Sequence, residues 1–140
     1  QQTTDGGYII TGNTKYFGNN EDVYLIKTDE NGDSLWTKTF GGTGEDFGHS
    51  VQQTNDGGYI ITGWTSSFGN GEYDVYLIKT DVSGNEQWTK TFGGTGNDLG
   101  YSIKLTNDGG YIITGDTDSF GNGLKDVYLI KTDGNGDVNP

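Results

Sequence analysis

The chain has no cysteine, no methionine and no arginine, a single histidine and a single proline in 140 residues. Without cysteine there are no disulfides, no thiol nucleophile and no thiolate metal site, and the redox compartment is left open. Without arginine the usual bidentate clamp for phosphate or carboxylate substrates is missing. His49 is replaced by Tyr101 in the corresponding place of the next unit, and neither has an identifiable partner to orient it for general acid–base work. Ser50 and Ser102 lie in no G-x-S-x-G elbow, and the GGTG runs lack the Lys-Ser/Thr that follows a phosphate-binding glycine loop. An enzyme is therefore not expected. Positive charge is also scarce: eight lysines face twenty Asp and Glu, a net charge of -12. Such a surface repels phosphate backbones and anionic lipid, so neither nucleic acid nor membrane insertion is expected. No apolar run approaches the ~18 residues of a membrane span, and Gln1 opens no signal peptide, although a precursor could have lost one.

Hydrophobic residues reach only 29% and mean hydropathy is -0.68, values that lean toward disorder. The arrangement of those residues points the other way. Aromatics make up 13%, and the apolar residues fall in short, recurring, β-branched and aromatic runs. The octapeptide DGGYIITG occurs unchanged from Asp5, from Asp56 and from Asp108, so successive copies begin 51 and 52 residues apart. Repeats of that period signal propeller blades or solenoid turns.

One complete unit reads from Ser50 to Gly94. SVQQT (Ser50 to Thr54) is a short strand, and the Asp56-Gly57 pair after it supplies the positive φ angles of a tight hairpin. Tyr59 to Thr65 is the next strand. A polar loop then runs to Asp74, one residue shorter in the first unit, between Gly18 and Asp22. DVYLIKTD follows identically at Asp22, Asp74 and Asp126; Val75 and Leu77 point one way, Tyr76 and Ile78 the other. A strand apolar on both faces requires cover on both sides. Asp81 and Gly84 mark a type I turn with a left-handed glycine, and WTKTF (Trp88 to Phe92, and Trp36 to Phe40) is the fourth strand. The Gly-rich passages Gly41 to Gly48 and Gly93 to Gly100 read as linkers. In a radial array such a linker crosses three strand spacings, roughly 14 Å, which eight residues span at about 3.3 Å each. The predicted fold is all-β, with four-stranded antiparallel β-propeller blades; a linear β-solenoid or a stack of meanders is the alternative.

The series W-x4-G-G, D-x-G-x-S, D-G-G-Y, G-x-T and D-V-Y-L-I-K-T-D resembles the β-propeller repeats of secreted and cell-surface proteins of bacteria and archaea, over essentially the whole chain. The resemblance implies a secreted or cell-surface location, and the expected role is that of a non-enzymatic binding or assembly scaffold. The repeat spacing divides the single repeat domain into expected blades at 1–47, 48–99 and 100–140. Gln1 to Thr3 match only the tail of a first strand, and Pro140 stands where Trp36 and Trp88 stand in their units. About three blades fall short of the roughly four to eight that close a ring. The expectation is an open arc whose edges pair with further blades of a longer chain or with other copies.

Asp29, Asn31 and Asp33 alternate as the hard oxygen donors of a Ca²⁺ loop do, and Asp46 and Asp98 lie among backbone amides in the GTGxDxG passages. The glycine is in the fourth place rather than the sixth and no Glu stands twelfth, so turn capping explains the same residues. No cofactor is predicted beyond this Ca²⁺ option. Recognition is expected where the units differ: Asn13, Trp64 and Asp116 after the shared YIITG, and the variable loops 19–21, 70–73 and 122–125, with Tyr73 and Lys125. Trp64 has no counterpart and offers a stacking platform for a glycan or a partner side chain, or it fills a local gap. A lectin-like, Ca²⁺-assisted glycan binder is thus the alternative to a self-associating scaffold.

Overall fold

The computed structural model describes residues 1–15 and 20–138. Gly18 and Asn19 of the first variable loop, and Pro140, lie outside the described residues. The described chain is all-β: ten strands in three antiparallel sheets, with no helix among the described residues. The first sheet holds β1 (Tyr8–Thr14), β2 (Asp22–Thr28) and β3 (Ser34–Phe40) in that order. The middle sheet holds β4 (Asp46–Gln53), β5 (Tyr59–Thr65), β6 (Asp74–Thr80) and β7 (Glu86–Phe92). The last holds β8 (Asp98–Leu105), β9 (Tyr111–Thr117) and β10 (Asp126–Thr132). Each neighbour in space is the neighbour in sequence, so every sheet is a simple meander.

Two local expectations are corrected. The Gly-rich passage is not all linker, because β4 starts at Asp46 and β8 at Asp98, pairing Phe47 with Trp64 and Gly48 with Gly63. At this crossing a side chain on Gly63 would strike the Phe47 carbonyl, so two facing glycines let the backbones approach. A register shift between Gly48 and Ser50 makes His49 a bulge residue, which breaks the alternation that would have revealed the strand. The Asp56-Gly57 turn also differs from the expected one. Only Gly57 has positive φ, at 83°, and its N–H donates to the Thr54 carbonyl at 2.9 Å. It is a type I turn closed by a left-handed glycine, the same device found at Asp81 to Gly84. Asp56 supports it from outside: its Oδ1 accepts from the Thr54 hydroxyl at 2.5 Å and the Gly58 N–H at 3.1 Å.

The sheets pack face against face. One core joins Ile9, Val23, Leu25 and Phe40 of the first sheet to Val51, Tyr59, Ile61, Tyr76 and Ile78 of the middle one. The second joins Ile60, Val75 and Leu77, on the opposite face of the middle sheet, to Ile103, Tyr111, Ile113 and Ile130 of the last. Every junction therefore sets the Val/Leu face of one sheet against the Tyr/Ile face of the next. Tyr76 and Leu77 point to opposite faces of β6 and are 3% and 0% exposed, so the middle sheet is covered on both sides, as its sequence requires.

Candidate interaction surfaces

Each junction carries a buried acidic group at the start of its first strand. Asp46 and Asp98 are fully buried. Asp46 Oδ2 accepts from the Gly42 N–H at 2.9 Å and the Ser67 hydroxyl at 2.6 Å. Asp98 Oδ2 takes the Gly94 N–H at 2.8 Å and the Ser119 hydroxyl at 2.5 Å, while Thr117 donates to its other oxygen. Asp22, beside Asp46, is held above the ordinary carboxylate range by burial and then by the Asp46 charge. Gly41 lies between these two carboxyls and Gly93 between Asp74 and Asp98, each so close that an added Cβ would collide with both acids. These carboxylates tie the incoming Gly-rich segment to the sheet through donors already in place.

The Asp29, Asn31 and Asp33 set behaves as a turn cap. Asp29 Oδ1 accepts the N–H groups of Asn31 and Asp33, each at 2.9 Å, and Asp81 and Asp133 repeat the pattern in the other sheets. Among the described residues no group of three or more His, Asp or Glu side chains is placed to hold a metal ion.

The variable positions gather at the ends of the sheets, each within its own unit. Asn13 is the penultimate residue of β1 and its amide donates to Glu21, which also lies 3.9 Å from Lys15. Trp64 stacks on Phe47 with ring centres 4.2 Å apart and meets Tyr73 edge-on at 4.6 Å, so one face of the indole is occupied. The Tyr73 carbonyl accepts the Asp98 N–H at 2.8 Å, stitching the loop of the middle sheet to the first strand of the last. Asp116 takes hydrogen bonds from Lys125 at 3.1 Å and the Tyr101 hydroxyl at 3.0 Å. That carboxylate holds the Lys125 ammonium above its ordinary value, and burial and then Asp116 raise the Tyr101 phenol. His49 Nδ1 sits 3.1 Å from the Gly100 carbonyl, and its ring stacks on Tyr101.

Apolar side chains are also left exposed on the two outer sheet faces. In β10, Val127 is 86% and Leu129 60% exposed, whereas Val75 and Leu77 at the same places in β6 are sealed. On the far side of the molecule Tyr8 and Ile10 of β1 are 40% and 46% exposed, and Tyr24 and Ile26 are half-buried. These are the Val/Leu face of the last sheet and the Tyr/Ile face of the first. The sequence shows the two-faced strand, and the expectation of pairing between copies rests on it and on open edges, with variable loops and strand ends left to face other partners.

Sequence reasoning also passed over a cleft of about 350 Å³ at the other end of the second junction, between the Asp56 turn, Trp88 and the 134–135 turn. The signal that would have found it is unit-to-unit difference: Asn55, Gln87, Leu105, Gly134 and Asn135 occupy the places of Thr4, Leu35, Gln53, Val82 and Ser83.

No protein-family model matches the chain, and no curated protein matches it in sequence.

Proposed function

We propose that the protein is a non-enzymatic extracellular scaffold of β-propeller blades, whose open outer faces take up further blades, here those of a second copy. The observation that carries this reading is the complementary exposure of one heptapeptide. DVYLIKT buries Val23 and Leu25 but half-exposes Tyr24 and Ile26 in β2, exposes Val127 and Leu129 while half-burying Tyr128 and burying Ile130 in β10, and is wholly buried in β6. The unmet half of β10 is the surface that the unmet half of β2 complements at both junctions within the chain. Fully burying Val127 and Leu129 would contribute about 1.5–3 kcal/mol each before the cost of association. Beyond the single bridges Gln2–Tyr8 and Thr132–Val138, the outer edges of β1 and β10 add main-chain groups for such pairing.

The radial arrangement of blades rests on the meander order, the cover on both faces and the short crossing segments. Location at or beyond the cell surface rests on the repeat resemblance. A non-enzymatic role is supported by the engagement of His49 with a carbonyl and of Asp46 and Asp98 with amide and hydroxyl donors. Sedimentation or light scattering of the chain at micromolar concentration tests the association. Concentration-dependent mass is expected, and Leu129→Glu should abolish it while preserving the fold. A compact monomer at every concentration would refute the reading.

A further inference from the structure

The cleft at the second junction has the composition of a recognition site. Trp88 forms its apolar wall, with Tyr111 behind it at a ring separation of 6.3 Å. The Trp88 ring is held from the rear by Gly136, whose lack of a side chain admits it: a Cβ there would stand 2.7 Å from the six-membered ring. Around this wall stand three side-chain amides, Asn55, Gln87 and Asn135, all on exposed positions. An amide both donates and accepts, so three of them can answer neighbouring hydroxyl groups on one ligand.

The single cation in the cleft is already committed. Lys79 is buried, and its three ammonium hydrogens go to Asp56 at 2.8 Å, the Thr80 carbonyl at 2.9 Å and Gln87 Oε1 at 3.0 Å. It fixes Gln87 with the amide nitrogen free and leaves no charge for an anion. The ion pair is internally neutral, and the net charge of -12 further disfavours acidic ligands. The first junction is built differently at the same places. There Gln53 stands where Leu105 does and binds the Thr4 N–H through its Oε1 at 2.9 Å; Val82 replaces Gly134, and Leu35 and Ser83 replace two of the amides. The DGGYIITG and DVYLIKTD runs are the same in every unit, so the differences at this cleft, like those at the variable loops, mark a place that sheet packing does not dictate.

We propose that this cleft binds a neutral saccharide, with a sugar ring lying against Trp88 and its hydroxyls meeting the amides of Asn55, Gln87 and Asn135. Polyhydroxylated rings present apolar C–H faces to an indole and alternating donors and acceptors at their rims, which is what the cleft supplies. The proposal places glycan recognition at Trp88 rather than at Trp64, one of whose faces packs on Phe47, and it does not depend on association between copies.

The three indole N–H resonances of the full chain separate Trp36, Trp64 and Trp88 as reporters within one sample. Titration with cellotriose, maltotriose and xylotriose should move the Trp88 signal with at least one of them and leave Trp36 unmoved. Gly134→Val and Asn135→Ser restore residues that the first junction carries, so both should fold, and each should weaken binding about tenfold or more. Trigalacturonate should bind more weakly than the best neutral probe. The proposal is overturned if no neutral probe moves Trp88, if Gly134→Val binds as the parent does, or if trigalacturonate is preferred.

Discussion

The same seven residues run through β2, β6 and β10, and their surroundings differ completely. In β6 all seven are buried; in β2 and β10 opposite halves are left open. Local sequence sets strand formation and the two apolar faces, but burial is conferred by the neighbouring sheet. Lys27, Lys79 and Lys131 make the same point with a charge. Each reaches the Asp of its DGGY turn, at 2.9, 2.8 and 2.7 Å, yet the lysine side chains are 4%, 5% and 44% exposed. Only where another sheet lies over it is the lysine withdrawn from water, while its aspartate partner stays exposed in all three units.

The strongest way to break this comparison is to make one truncation in two places. Leu77→Ala should destabilise by about 2–5 kcal/mol through lost burial and a cavity. Leu129→Ala, the same change in the same heptapeptide, should stay within about 0.5 kcal/mol in dilute monomer. Urea unfolding measures both, and equal losses would show that the last sheet is not open.

Acid titration sharpens the lysine comparison. Burial pushes the Asp56 carboxyl up, but hydrogen bonds from Lys79, Thr54 and Gly58 outweigh it and hold it at about 2; Asp5, bonded by Thr3 and then Lys27, also lies at about 2. Both values are below the ~3.9 of an unfolded chain. These groups therefore contribute stability that is complete above about pH 4 and is lost as pH falls toward 2. Carboxyl carbon shifts for Asp56 should give a midpoint near 2, and unfolding free energy should drop over that interval. A midpoint near 4 would mean that the Lys79 pair does not form.

The smallest effect concerns Thr62, whose buried hydroxyl has no hydrogen-bond partner among the described residues, whereas Thr114 at the same place in the last sheet is exposed. Thr62→Val should raise stability by about 1 kcal/mol by removing an unsatisfied polar group. Thr114→Val should change little, and a loss at Thr62 comparable with other core changes would reveal a partner for its hydroxyl.

Much of this fold can be read from residues alone. The repeat, the hairpin at Asp81 to Gly84 and the two apolar faces of DVYLIKT all follow from spacing and alternation. The start of β4 does not, because Gly48, the His49 bulge and Gly63 erase the period of two. Nor does the difference among the three copies of the heptapeptide, since identical residues cannot announce which neighbour each will have. The interaction surfaces were the least legible. Trp64 stood out by being unique yet packs on Phe47, while the cleft is assembled from Asn55, Gln87 and Asn135, which lie far apart in sequence and acquire meaning only when two sheets meet.

Because each junction mates unlike faces, two copies cannot satisfy each other by presenting the same surface twice. Any series built this way is vectorial, with a donor end and an acceptor end that remain chemically distinct at every length. A copy spoiled at Leu129 but intact at Ile10 would still dock once and then refuse the next arrival. A small fraction of such chain terminators should therefore shorten the whole population, an outcome unavailable to a pair related by a twofold axis.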